Sequence, residues 1–115
     1  MTFRYAEPTR PKANLTAATV REDGDTCMAE LAVDHAEAFA DYDGESTDML
    51  LPAKVSVNGG VEKSVTFVRE GSNEFFLAEM ADISAGDNVK IRAEIKPGMA
   101  DRYAPGTTEL TVVAA

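Results

Sequence analysis

The sequence predicts an all-β fold: a single antiparallel sandwich of seven short strands, preceded by an extended amino-terminal arm. Three observations carry the prediction. Apolar side chains recur at every second residue in one segment after another, clusters rich in Gly, Asn, Asp and Ser separate those segments, and no stretch bears an apolar stripe at helical spacing over a useful length. At 115 residues and 44% hydrophobic content the chain makes one domain with a core of its own.

The elements follow in order. Residues 1–12 hold Pro8 and Pro11, which fix φ and remove backbone donors, so this stretch reads as the arm and residues 13–115 as the body. Leu15, Ala17 and Thr19 alternate in a weak first strand that ends at the turn Glu22 to Asp25. Cys27, Ala29, Leu31 and Val33 face inward in the second, against Met28, Glu30, Ala32 and Asp34. Residues 35–48 contain one short helical turn around Ala36 to Ala40, then a loop. Leu51, Ala53, Val55 and Val57 form the third strand. Asn58-Gly59 after it is a strong hairpin signal, because both turn positions need positive φ. The return strand, Val61 to Arg69, turns Val65 and Phe67 inward. After Glu70 to Asn73 the fifth strand offers either face, with Phe75 and Leu77 as the favoured core pair. Ile83 plugs the turn Ala81 to Asn88. Val89, Ile91, Ala93 and Ile95 make the cleanest strand, and after a long Pro97 to Gly106 loop Thr108, Leu110 and Val112 close the fold.

The run Ile83-Ser84-Ala85-Gly86-Asp87-Asn88-Val89-Lys90-Ile91-Arg92-Ala93, followed by a Pro- and Gly-rich loop and a closing Thr/Val strand, resembles the penultimate region of immunoglobulin-like and fibronectin type III-like domains. The resemblance covers roughly residues 13 to 113 and implies a seven-stranded immunoglobulin-like sandwich. The chain departs from that pattern in lacking a Cys pair, a core Trp and a corner Tyr. Such sandwiches serve many functions, so the fold alone selects none.

Charge narrows the choice. Against 11 Lys and Arg the chain has 20 Asp and Glu, a net charge of -9, which argues against a protein that grips nucleic acid or anionic lipid. That charge is local. From Glu22 to Asp48 there are ten acidic residues and no Lys or Arg, while the remainder of the chain sums to +1. A single Cys excludes an internal disulfide, and no apolar run reaches the length of a signal peptide or membrane span, so a cytoplasmically made protein is expected.

Little in the sequence announces chemistry. Cys27 lies on the apolar side of its strand in an acidic neighbourhood, where a thiol is a small hydrophobe rather than a nucleophile. His35 is the one imidazole, and neither a nucleophile elbow nor a phosphate-binding Gly loop is present. No catalytic residue is expected and the chain reads as a non-enzyme. No cofactor is expected, with one exception: Asp41, Asp43, Glu45 and Asp48 alternate in the acidic loop in a way that suits Ca²⁺, against the plainer reading of a solvated acidic loop. The residues marked for a protein partner are Phe3, Arg4, Tyr5 and Arg10 in the arm and Met99, Arg102 and Tyr103 in the loop before the last strand. Aromatic, Met and Arg side chains are enriched at interface cores, and Pro97 and Pro105 stiffen that loop. Against this stand a disordered arm, and a loop whose Met99 and Tyr103 fold back over the end of the body.

The functional expectation is a non-enzymatic structural or interaction module. Its most concrete form is a phage or virion decoration (cement) protein, or another capsid- or tail-associated component. It would bind a coat lattice or other assembly subunit through the arm and loops, with the acidic block facing solvent, and would reside in the virion or a cytoplasmically assembled particle. Homo-oligomers are compatible with this, and neither nucleic acid nor membrane is an expected partner. The alternative is an extracellular bacterial adhesion or binding domain, calcium-stabilised through Asp41 to Asp48.

Overall fold

The structure, a computed structural model, describes residues 10–36, 49–70, 74–95 and 103–115. They form seven strands: β1 (Leu15–Asp23), β2 (Thr26–Val33), β3 (Met49–Val57), β4 (Lys63–Arg69), β5 (Phe76–Met80), β6 (Asn88–Ile95) and β7 (Gly106–Val113). Every pairing is antiparallel, in the order β1-β2-β5-β4-β3-β6-β7. The sheet nearly closes into a barrel. Across the gap between its end strands the Leu15 N–H donates to Thr108 Oγ1 (3.0 Å) and the Ala115 N–H to the Val20 carbonyl (2.8 Å), which ties β1 to β7 at both ends. The all-β, seven-stranded expectation therefore holds, in a more continuous sheet than two separate layers. The helical turn read around Ala36 to Ala40 lies, beyond Ala36, outside the described residues.

The core is the inward face of this sheet. Leu31, Leu51, Phe67, Phe76, Val89 and Ile91 are its fully buried large side chains, with Val20 beside them. The alternation in β2, β3 and β6 is the sequence's own, because Cys27, Ala29, Leu31, Leu51, Ala53, Val55, Val89, Ile91, Ala93 and Ile95 are all buried.

Three details depart from simple period-two reading. In β1 the partner of Leu15 is Val33 and that of Ala17 is Ala32, so Thr16 is an extra residue, and its hydroxyl donates to the Ala32 carbonyl (3.1 Å). The bulge exchanges the faces: Leu15 and Val20 point inward, whereas Ala17 and Thr19 are exposed.

The second departure is the β3–β4 register. The Asn58-Gly59 turn forms with positive φ at both residues (52° and 75°), closed by the Gly60 N–H on the Val57 carbonyl at 2.9 Å. Leu51 nevertheless pairs with Phe67, and Val55 with Lys63, so Gly60 is an additional loop residue. A two-residue turn would set Leu51 opposite Thr66 and turn Val65 and Phe67 outward. Gly60 keeps them inside.

The third lies in β5. Phe76 and Met80 are buried, and the expected core pair Phe75 and Leu77 lies on the outer face, Phe75 at 39% exposure. Pairing of Leu31 with Phe76 and of Cys27 with Met80 sets this choice, because those β2 residues already face the core.

Candidate functional site

Antiparallel topology sorts every connection to one of two ends. The turns at residues 24–25, 58–62 and 81–87 and the carboxy-terminal residues 114–115 lie at one end. Residues 10–14, 34–36, 70, 74–75 and 103–105 lie at the other. Arg10 and Tyr103, two of the residues marked from the sequence for a partner, are at this second, arm-side end.

There the roots of three segments are bonded to one another. The Ala104 N–H donates to the Pro11 carbonyl (2.9 Å), and Lys12 Nζ to the Thr107 carbonyl (2.8 Å), so the chain ahead of β1 lies along the lead-in to β7. The Asn14 N–H donates to Asp34 Oδ1, the Asp34 N–H to the Asn14 carbonyl (3.1 Å), and Asn14 Nδ2 to the Lys12 carbonyl (3.0 Å). The exposed His35 turns its ring to Tyr103, centroids 5.7 Å apart at 51°, and the half-buried Tyr103 rests on the core. Left-handed φ at His35 (49°) accompanies the sharp exit from β2. These bonds position the starts of the arm, the acidic segment and the β6–β7 loop side by side.

Of the predicted partner-binding residues, Arg10 is exposed at this end and Tyr103 packs as described. Phe3, Arg4, Tyr5, Met99 and Arg102 lie outside the described residues, as do Asp41, Asp43, Glu45 and Asp48 of the candidate cation loop. Each of these segments nonetheless joins the described chain at the arm-side end, through Arg10, Ala36 and Met49, or Ile95 and Tyr103.

No protein-family model, curated protein or solved structure matches the chain. The functional reading rests on the molecule's own geometry.

The opposite end is built for stability. Asn58 Nδ2 donates to Asp87 Oδ1 (3.1 Å), Asn58 Oδ1 accepts from the Asn88 N–H (2.9 Å), and the Asn58 N–H donates to the Asn88 carbonyl (2.7 Å). Asp87 Oδ2 accepts from the Ser84 N–H at 2.8 Å. The Ser84 bond first and the Asn58 amide second hold the Asp87 carboxyl below its ordinary pKa. The same turn anchors the carboxy terminus, since Ala114 and Gly86 exchange backbone bonds with Asp87 and Ala114.

The described acidic residues of the block divide between the two ends and the outer face. Glu22, Asp23 and Asp25 stand at the β1–β2 turn, Glu30 pairs with Arg21 on the outer face (2.8 Å), and Asp34 holds Asn14 at the arm-side end. Cys27 is buried and directs its thiol to the Ile83 carbonyl at 3.1 Å. Among the described residues no three His, Cys, Asp or Glu side chains converge on a common point. What the arm-side end shows is a rim of backbone and side chain–backbone hydrogen bonds that ties residues 11–14, Asp34 and residues 104–107 together. Sequence reasoning missed the rim itself, because Lys12, Asn14, Asp34 and Thr107 carry no spacing signal and meet through the sheet closure.

Proposed function

We propose that the chain is a non-enzymatic assembly module, a small immunoglobulin-like sandwich of the fibronectin type III kind. In this reading it decorates a phage or virion particle, or a comparable capsid or tail assembly, by docking its arm-side end on a coat subunit. The sandwich reading draws support from the strand order. β1-β2-β5 and β4-β3-β6-β7 are two sets whose one pairing across β4 and β5 among the described residues is Val68 with Leu77, which fits a three-on-four arrangement.

The observation that carries the functional reading is the hydrogen-bonded rim joining Pro11, Lys12, Asn14, Asp34, Ala104 and Thr107. It roots at one place the arm with Phe3, Arg4 and Tyr5 and the loop with Met99 and Arg102. A rigid scaffold that holds several interaction segments together lowers the ordering cost of docking them on one surface. Arm cations also suit an acidic or polar coat surface even though the whole chain is acidic.

Sedimentation of the native source through a density gradient tests the reading. The chain is expected to travel with a large particle. The chain with Phe3→Ser, Arg4→Ser and Tyr5→Ser together should remain folded and stay at the top of the gradient. A chain that never accompanies a particle, or a triple variant that accompanies it as well as the parent, contradicts the proposal.

A further inference from the structure

At the end of the sheet opposite the arm, the β4–β5 seam opens onto the core. Val68 with Leu77 is the one pairing between these strands among the described residues, and its register would set Val65 opposite Met80. β4 instead stays with β3 as far as the Val55–Lys63 pair, and β5 stays with β2 as far as Cys27–Met80. The two strands part, and a cavity of about 390 Å³ is lined by residues of both.

Its walls are largely apolar. Val55, Met80 and Ile83 reach it from the buried core, and Val57 and Val65 are half-buried against that core. Val61 stands at the mouth, 86% exposed. Ser64, also in the lining, already accepts a hydrogen bond from Lys54 Nζ (2.6 Å). The volume is that of a cleft for a small organic ligand, and walls of this kind favour a ligand with an apolar body.

Charge selects the rest of the ligand. A smaller cleft of about 150 Å³ adjoins the cavity and shares Met80, Asp82 and Ile83 with it. Glu22 and Asp25, from the end of β1 and the turn after it, line this cleft, Glu79 lines the cavity, and Asp82 lines both. None of these carboxylates is in an ion pair among the described residues. Lys63 is the one cation among the described residues lining either space. With Glu22, Asp25, Glu79 and Asp82 against Lys63, the field at the mouth attracts a cationic head and repels an anionic one.

We propose that the β4–β5 cavity binds a small organic cation, an amine with an apolar body. The body lies on Val57, Val65, Met80 and Ile83, and the ammonium group meets Asp82 and, across the adjoining cleft, Glu22 and Asp25. The site is at the end of the fold opposite the hydrogen-bonded rim, so it goes beyond the assembly reading and stands or falls independently of it.

Titration of the isotopically labelled chain with octylamine, followed by amide NMR, tests this, with octanol and octanoate as neutral and anionic counterparts of the same body. Octylamine is expected to bind saturably with a Kd of about 1 mM or lower and to shift the amides of Val57, Lys63 to Val65 and Glu79 to Ile83. It should bind at least about threefold more tightly than octanol and about tenfold more tightly than octanoate. Asp82→Asn removes a charge and keeps a residue type that tolerates left-handed φ, here 62°. That variant should keep the parental Tm and its affinity for octanol, and bind octylamine at least about threefold more weakly. Val61→Lys, at an exposed position, should weaken octylamine as well. Absence of saturable binding, shifts confined to other surfaces, or equal affinity for the three probes overturns the proposal. So does an Asp82→Asn variant that binds octylamine as tightly as the parent.

Discussion

Adjacent phenylalanines with opposite fates give a sharp test of the fold. Phe76 is 1% exposed, opposite Leu31 in the core cluster, whereas Phe75 is 39% exposed on the outer face. Truncating a buried Phe to Ala removes its transfer free energy and leaves a cavity, at a cost of about 3 to 5 kcal/mol. The same change at Phe75 forfeits only partial burial, at most about 1 kcal/mol. A domain of 115 residues has a total stability of about 6 to 17 kcal/mol, so Phe76→Ala removes a large share of it. By thermal denaturation this corresponds to a fall in Tm of about 10 to 20 °C for Phe76→Ala and a few degrees for Phe75→Ala. Urea titration should give the same ranking with similar m-values. Equal losses, or a larger loss at Phe75, would refute the assignment of the β5 faces.

Three further outcomes follow from other parts of the molecule. Deleting Gly60 removes the residue that sets the β3–β4 register, so the variant should lose at least about 3 kcal/mol in urea titration, the scale of a displaced buried Phe; parental stability would mean that the turn does not set the register. Asp87 has a pKa lowered by its bonds from Ser84 and Asn58, so its contribution is present above the ordinary carboxylate range and lost as pH falls through the lowered value. Asp87→Asn should therefore melt lower than the parent at neutral pH, with the gap closing as the solution is acidified, and a gap constant with pH would count against the bonds. Millimolar calcium should leave the Tm unchanged, and a rise that chelator reverses would favour the calcium-stabilised adhesion alternative built on Asp41, Asp43, Glu45 and Asp48.

The fold was legible where one face of a strand is buried and the other wet. β2, β3 and β6 follow the period of two closely, and the clean alternation from Val89 to Ile95 survives intact in the structure. It failed where tertiary pairing overrides local pattern. The bulge at Thr16 exchanges faces within β1, an effect that needs the partner strand to be visible. Both faces of β5 are apolar, so only its pairing with Leu31 and Cys27 makes Phe76 and Met80 the inner members. The candidate site divides in the same way. Aromatic and basic residues of the arm were visible as composition, whereas the rim that roots them depends on contacts such as Lys12 with Thr107, 95 positions apart. Such contacts leave no local trace.

Hydrogen exchange on the chain bound to its particle tests the assembly reading most directly. Relative to the free protein, amides at Lys12 to Leu15, Asp34 to Ala36 and Ala104 to Thr107 should gain protection, while the turns at Gly24 and Gly59 and the Ser84 to Asp87 turn exchange as before. Protection confined to those opposite turns, with the arm-side rim unchanged, would contradict the account.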